Sequence, residues 1–216
     1  MLDTIDGLYM LQTSVDHDET TLTLSPRESE ECLRMRSLSR RLAYQSSRQL
    51  GKQLLCQLSG QCPSDVEILS RDIKGCGTRP RVLFRGQPTH WQVSISHKEN
   101  VAMILATQRQ DIRIGCDLEY RQTLGEDFRA LWFTSLEQQW LKSDSSLQSA
   151  TLWAAKEAAY KALNEGEAFS PKRFEVEPIG DHKFSCHYAK KQAVCLVAVD
   201  PISITVVAIH IIETHK

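Results

Sequence analysis

The chain has no Cys-x-x-Cys pair, and none of its seven cysteines (Cys32, Cys56, Cys62, Cys76, Cys116, Cys186, Cys195) stands at metal-ligand spacing from a histidine. An odd set of scattered thiols argues against both a disulfide framework and a zinc centre, and it fits a reducing, cytoplasmic setting. Neither sign of charge is in excess: 26 lysines and arginines face 27 aspartates and glutamates. That balance excludes a generally basic nucleic-acid binder while leaving room for a local basic patch. Met1–Met10 carries Asp3 and Asp6 and no basic-then-apolar run, so it does not read as a signal peptide. The long apolar stretch Ala193–Ile212 is interrupted by Asp200-Pro201 and is rich in β-branched residues. It reads as two buried strands around a turn, with no membrane span. No Gly-x-Ser-x-Gly elbow occurs, which removes the common serine-hydrolase reading. What remains is 216 residues, 41% hydrophobic and 25% charged. That is enough chain for one or two domains with a core that needs no staples.

Ser25–Leu58 is helical in pattern. Ser25 suits the cap, Pro26 the first helical position, and Glu28 completes a capping-box signature. From Arg27 to Lys52 there are seven basic residues against three acids, Glu28, Glu30 and Glu31, with the acids at the helix start and most of the bases after them, the order the helix dipole favours. Such a run is either a solvated face or an anion site, and Arg41 and Arg48, two turns apart, are the pair placed to close on one anion. Cys62–Pro88 reads as loop, punctuated by Gly75, Gly77, Pro80, Gly86 and Pro88. Gln92–His97, Val101–Ala106 and Ile112–Glu119 read as strands, Leu124–Leu141 and Leu147–Leu163 as helices. Phe174–Val176, Lys183–His187 and the two terminal strands complete the chain. The expected class is α+β in two lobes, 1–110 and 111–216. Similarity between the halves is too weak in the sequence to establish a repeat.

Asp117 and Glu119 share one strand face, their side chains leaving it about 6–7 Å apart. Two carboxylates that close repel unless a cation lies between them, and oxygen-only ligation points to Mg²⁺. Two acids facing plain solvent is the alternative. On the second predicted helix Glu157 precedes Lys161 by one turn, the favourable order for a surface salt bridge. They equally suit a third ligand with a lysine beside it for phosphoryl chemistry. Gly115, on the face of Asp117, leaves room for a ligand's close approach. Ser96-His97 ends a strand at a turn. Adjacent strand residues face opposite ways, so the two are no hydrolase dyad; His97 is either a phosphate contact or a plain turn histidine.

Together these blocks resemble a known family. Ile114-Gly115-Cys116-Asp117-Leu118-Glu119 is similar to the first signature of the 4′-phosphopantetheinyl transferases. Trp153-Ala154-Ala155-Lys156-Glu157-Ala158-Ala159-Tyr160-Lys161 is similar to the second, forty residues on from Asp117 to Glu157. Ser94-Ile95-Ser96-His97, Gly86-Gln87-Pro88 and Phe133-Thr134-Ser135-Leu136-Glu137 resemble three further blocks of the longer, single-chain, surfactin-synthetase-activating members. The resemblance implies two similar lobes related by a pseudo-twofold, with coenzyme A between them. It implies an enzyme that moves the phosphopantetheine arm of coenzyme A onto a serine of an acyl or peptidyl carrier protein, releasing adenosine 3′,5′-bisphosphate. Carried over, Asp117, Glu119 and Glu157 hold Mg²⁺, Glu157 and Lys161 are catalytic, and Arg41, Arg48, Arg85, Ser96, His97 and Lys161 contact coenzyme A. Gln87 replaces a basic residue of the family, a charge that Arg85 can supply. Arg121, Arg129 and part of Leu124–Trp132 are expected to dock an acidic carrier, and a monomer that binds neither nucleic acid nor membrane is expected. A catalytically silent coenzyme A or carrier-binding module and a Mg²⁺-dependent pyrophosphate hydrolase are the alternatives.

Overall fold

The computed structural model describes residues 6–14, 24–72, 76–143 and 148–212; Asp3, Gly75 and Leu147 of the sequence reading lie outside them. The chain divides into two compact units, Thr4–Gln110 and Asp111–Lys216. In the first, strand β1 (Leu8–Ser14) is followed by helices α1 (Pro26–Leu33) and α2 (Leu38–Ser59). Strands β2 (Val66–Arg71), β3 (Gly77–Phe84), β4 (Gln87–Lys98) and β5 (Val101–Thr107) then form an antiparallel meander. The sheet order is β1-β5-β4-β3-β2.

The capping box forms as the sequence implies. Ser25 Oγ accepts the Glu28 backbone N–H at 3.2 Å, and the Glu28 carboxylate accepts that of Ser25 at 2.8 Å. The single helix expected over Ser25–Leu58 is instead broken at Arg34–Ser37, where Ser37 is extended. The break frees α1 to lie along the edge strand β2 while α2 covers the sheet. From α1, Glu28 accepts the Ile68 N–H at 2.9 Å, and Glu31 accepts those of Ser70 and Arg71 at 3.1 and 3.0 Å. Two glutamates thereby occupy N–H groups that an edge strand would otherwise offer to another chain. The loop expected over Cys62–Pro88 is also corrected, because β2 and β3 form a hairpin there. Val66, Ile68 and Val82 enter the core, and Pro80 falls where the ladder register of β3 shifts.

The second unit repeats the plan. Strand β6 (Ile112–Tyr120) precedes helices α3 (Glu126–Trp132), α4 (Ser135–Ser143) and α5 (Ser149–Leu163). The meander β7 (Glu175–Gly180), β8 (Lys183–Tyr188), β9 (Lys191–Val199) and β10 (Ser203–Ile211) follows, in the order β6-β10-β9-β8-β7. Both units are therefore the same fold, which bears out the α+β class with two similar lobes. Leu124–Leu141, expected as one helix, is two: Phe133 is extended, and Thr134 opens α4 with its own capping box. Leu152, Ala155, Ala159 and Leu163 form the buried stripe of α5 that their spacing indicates. With Ala154, Ala158 and Ala162 also buried, that helix can approach its sheet closely. Asp200-Pro201 makes the turn between β9 and β10, with Asp200 accepting from the Ile202 and Ser203 backbone N–H groups. Among the described residues no helix is long and apolar enough to cross a membrane.

Candidate active site

Strand β6 presents Gly115, Asp117 and Glu119 on one face by simple alternation, and α5 packs on that face. A Cβ at Gly115 would lie 1.9 Å from the Ala158 carbonyl oxygen and 2.8 Å from the Ala162 nitrogen. The glycine therefore seats α5 against the strand; it does not make room for a ligand. That close seat brings Glu157 and Lys161, on the helix face turned to β6, over Asp117. One carboxylate oxygen from each of Asp117, Glu119 and Glu157 lies within 4.8 Å of the others. Asp117 and Glu119 are 2% and 7% exposed, and Glu157 is half-buried.

Lys161 Nζ donates to Asp117 Oδ1 at 2.8 Å and to the Cys116 carbonyl at 2.8 Å. Burial pulls its proton affinity down, but Asp117, Cys116 and Glu157 together outweigh this and hold the ammonium above its ordinary range. Glu157 is pushed up to about 8, by burial first and then by the negative charge of Asp117. Lys161 offsets only part of that. The donor set, three hard carboxylate oxygens without nitrogen or sulfur, fits Mg²⁺. The charge left over on these acids after Lys161 is counted is what a divalent cation would neutralise.

The structure also anchors parts of the motifs to which the sequence assigned no role. Lys156 is fully buried, pairs with Glu137 at 2.8 Å, and donates to the carbonyls of Pro171 and Phe174 at 3.0 and 2.6 Å. Glu137 in turn accepts from the Val176 and Thr134 N–H groups at 2.8 Å each. The sequence signal for this anchor is the Thr134-x-x-Glu137 spacing. Trp153 packs between Phe128 and Phe169, with ring centroids 4.9 and 5.7 Å away.

The remaining candidates lie in the first unit. His97, at the end of β4, and Arg85 are exposed, while Ser96 is buried. Arg85 and Gly86, both at positive φ, turn β3 into β4, and Arg85 pairs with Asp65 at 3.1 Å. Arg48 is only 3% exposed: it lies 4.0 Å over the Tyr44 ring, donates to Ser70 at 2.5 Å and stands 3.9 Å from Glu31. Arg41 is half-buried, and Nε of both arginines is enclosed without a hydrogen-bond partner among the described residues. All seven cysteines are free thiols.

Residues 113–207 match the family model of the 4′-phosphopantetheinyl transferase superfamily. The matched segment contains Asp117, Glu119, Glu157 and Lys161. No curated protein matches the chain.

Proposed function

We propose that this chain transfers the 4′-phosphopantetheine arm of coenzyme A to a serine of an apo acyl or peptidyl carrier protein. The observation that carries the reading is the cluster Asp117, Glu119, Glu157 and Lys161, gathered by β6 and α5 inside the segment that matches the family. A serine hydroxyl is a weak nucleophile, and a pyrophosphate repels an approaching oxygen. Asp117, Glu119 and Glu157 would hold Mg²⁺, and the bound ion supplies charge neutralisation at the pyrophosphate oxygens.

The serine Oγ attacks the phosphorus nearer the pantetheine, and the bond from that phosphorus to the bridging oxygen breaks. The hydroxyl proton goes to the Glu157 carboxylate. The bridging oxygen leaves with adenosine 3′,5′-bisphosphate, its charge met by Lys161. In this proposal the unit 111–216 carries the chemistry and 1–110 the nucleotide end. There His97 and Arg41 meet the 3′-phosphate, with Ser96 next to His97 and Arg48 ordering the helix, while Arg85, on the β3–β4 turn at the other end of β4, contacts another part of coenzyme A. Arg121, Arg129 and the exposed Leu131 and Leu136 are the docking surface for an acidic carrier. The protein works as a cytoplasmic monomer of the longer, single-chain type.

The test is product stoichiometry with coenzyme A, Mg²⁺ and an apo carrier. Adenosine bisphosphate released one-for-one with modified carrier, and only when carrier is present, is the expected result. Release without carrier indicates a hydrolase, and no release indicates a silent binding module.

A further inference from the structure

Lys156 and Glu157 are adjacent on α5, so their side chains leave the helix about 100° apart. Glu157 turns toward Asp117 and Glu119. Lys156 turns the other way and is held by Glu137 of α4 and by the carbonyls of Pro171 and Phe174 ahead of β7. A side chain with three partners from two separate segments and no exposed surface fixes the rotation of the helix about its axis. That rotation matters. Turning α5 by about 20° moves a carboxylate at the helix rim by about 2 Å. Oxygen ligands of Mg²⁺ keep to about 2.0–2.1 Å and near-octahedral geometry, so such a displacement removes a ligand.

We propose that Lys156, through its buried bond to Glu137, is a positioning residue that sets the rotation of α5 and so holds Glu157 in ligand geometry with Asp117 and Glu119. This rests on the metal reading given above.

The first unit supplies the control. Lys52 of α2 is buried and pairs with Glu28 at 2.7 Å, and Glu28 is a capping-box glutamate whose other oxygen takes the N–H of Ile68 on edge strand β2. Glu137 does the same for Thr134 and for Val176 on edge strand β7. Residue by residue, Lys52 matches Lys156. Gln53 and Gln57 then stand where α5 has Glu157 and Lys161, and both glutamines are exposed. The same anchor serves one helix that carries ligands and one that carries none.

The experiment uses the full-length protein and Mg²⁺ alone, without coenzyme A or carrier. Cation affinity is read from the Mg²⁺-dependent rise in Tm and by calorimetric titration, for wild type, Lys156→Arg and Lys52→Arg. Arginine keeps the charge but cannot reproduce the point contact of the ammonium. Supporting positions around a metal ligand typically change affinity about 10–100-fold. Lys156→Arg is expected to weaken Mg²⁺ at least ten-fold on that scale, and Lys52→Arg to leave it unchanged while lowering Tm by a similar amount. If Lys156→Arg does not fold, Glu137→Gln reads the same relationship from the other side. Unchanged affinity in the folded α5 variant overturns the assignment, and so does equal weakening by Lys52→Arg, which would mean general loosening. Absence of Mg²⁺ binding by the wild type overturns the metal reading itself, and the positioning role with it.

Discussion

Lys161 Nζ stands 2.8 Å from Asp117 Oδ1, so the ammonium already compensates part of the charge that the three acids concentrate. That contact makes a specific claim about the lysine: it lowers the negative potential at the cluster. Lys161→Met should therefore leave Mg²⁺ binding as tight as wild type or tighter. Transfer should fall about 10²-fold or more, the usual scale for losing an electrostatic stabiliser of a transition state. Calorimetry and a turnover assay on the same preparation check this. Weaker Mg²⁺ binding would instead make Lys161 a part of the site's framework.

The proton on Glu157 gives a pH signature. Its affinity in the folded chain, up to about 8, exceeds the ordinary 4.5, so the protonated form is favoured by folding. The stabilisation it contributes is complete below about pH 4.5 and is lost as pH rises through about 8. In a chelator, wild type should lose stability relative to Glu157→Gln between pH 5 and pH 9 by an amount on the order of the linkage expected for one group. Added Mg²⁺ should reverse the loss. Parallel Tm profiles for the two proteins would contradict it.

Gly115 and Gly51 separate two kinds of close packing. Alanine at 115 meets the backbone of α5, with the Ala158 oxygen 1.9 Å from the new Cβ. Alanine at 51 meets side-chain ends, Ile68 Cδ1 at 2.4 Å and Ile104 Cδ1 at 2.9 Å. Overpacking costs about 1–3 kcal/mol, and in a helix interior alanine recovers about 1 kcal/mol over glycine. Gly115→Ala should thus be the more destabilising change by denaturant unfolding, and it alone should weaken Mg²⁺ binding.

The two sides of the first unit should also differ. His97 is exposed and Arg48 is buried against Tyr44 and Ser70. His97→Ala should narrow the preference for coenzyme A over dephospho-coenzyme A, which lacks only the 3′-phosphate, by about ten-fold. Arg48→Ala should lower Tm and depress kcat/KM for both donors alike. The same narrowing from both variants would place Arg48 on the phosphate.

The acidic face of β6 and the apolar stripe of α5 were legible because alternation and helical spacing report directly on one element. Gly115 was misread because its reason lies in another element: nothing near it in the chain tells that Ala158 will press on it. The β2–β3 hairpin was hidden by Gly75, Gly77 and Pro80, whose local turn signal outweighed the apolar alternation of Val66 and Ile68. The repeat was the least legible of all. It is preserved in topology and in two buried ion pairs, Glu28–Lys52 and Glu137–Lys156. The positions beside these pairs have diverged, as exposed Gln53 against half-buried Glu157 illustrates.

Mass measurement of an apo carrier protein after incubation with coenzyme A and saturating Mg²⁺ tests the central claim most directly, run with wild type, Asp117→Ala and Glu157→Gln. The account predicts a gain of one phosphopantetheine with wild type and no gain with either variant, both variants remaining folded. An unmodified carrier with wild type across a panel of carriers would contradict the transferase reading. Near-normal turnover by either variant would contradict the role given to that carboxylate.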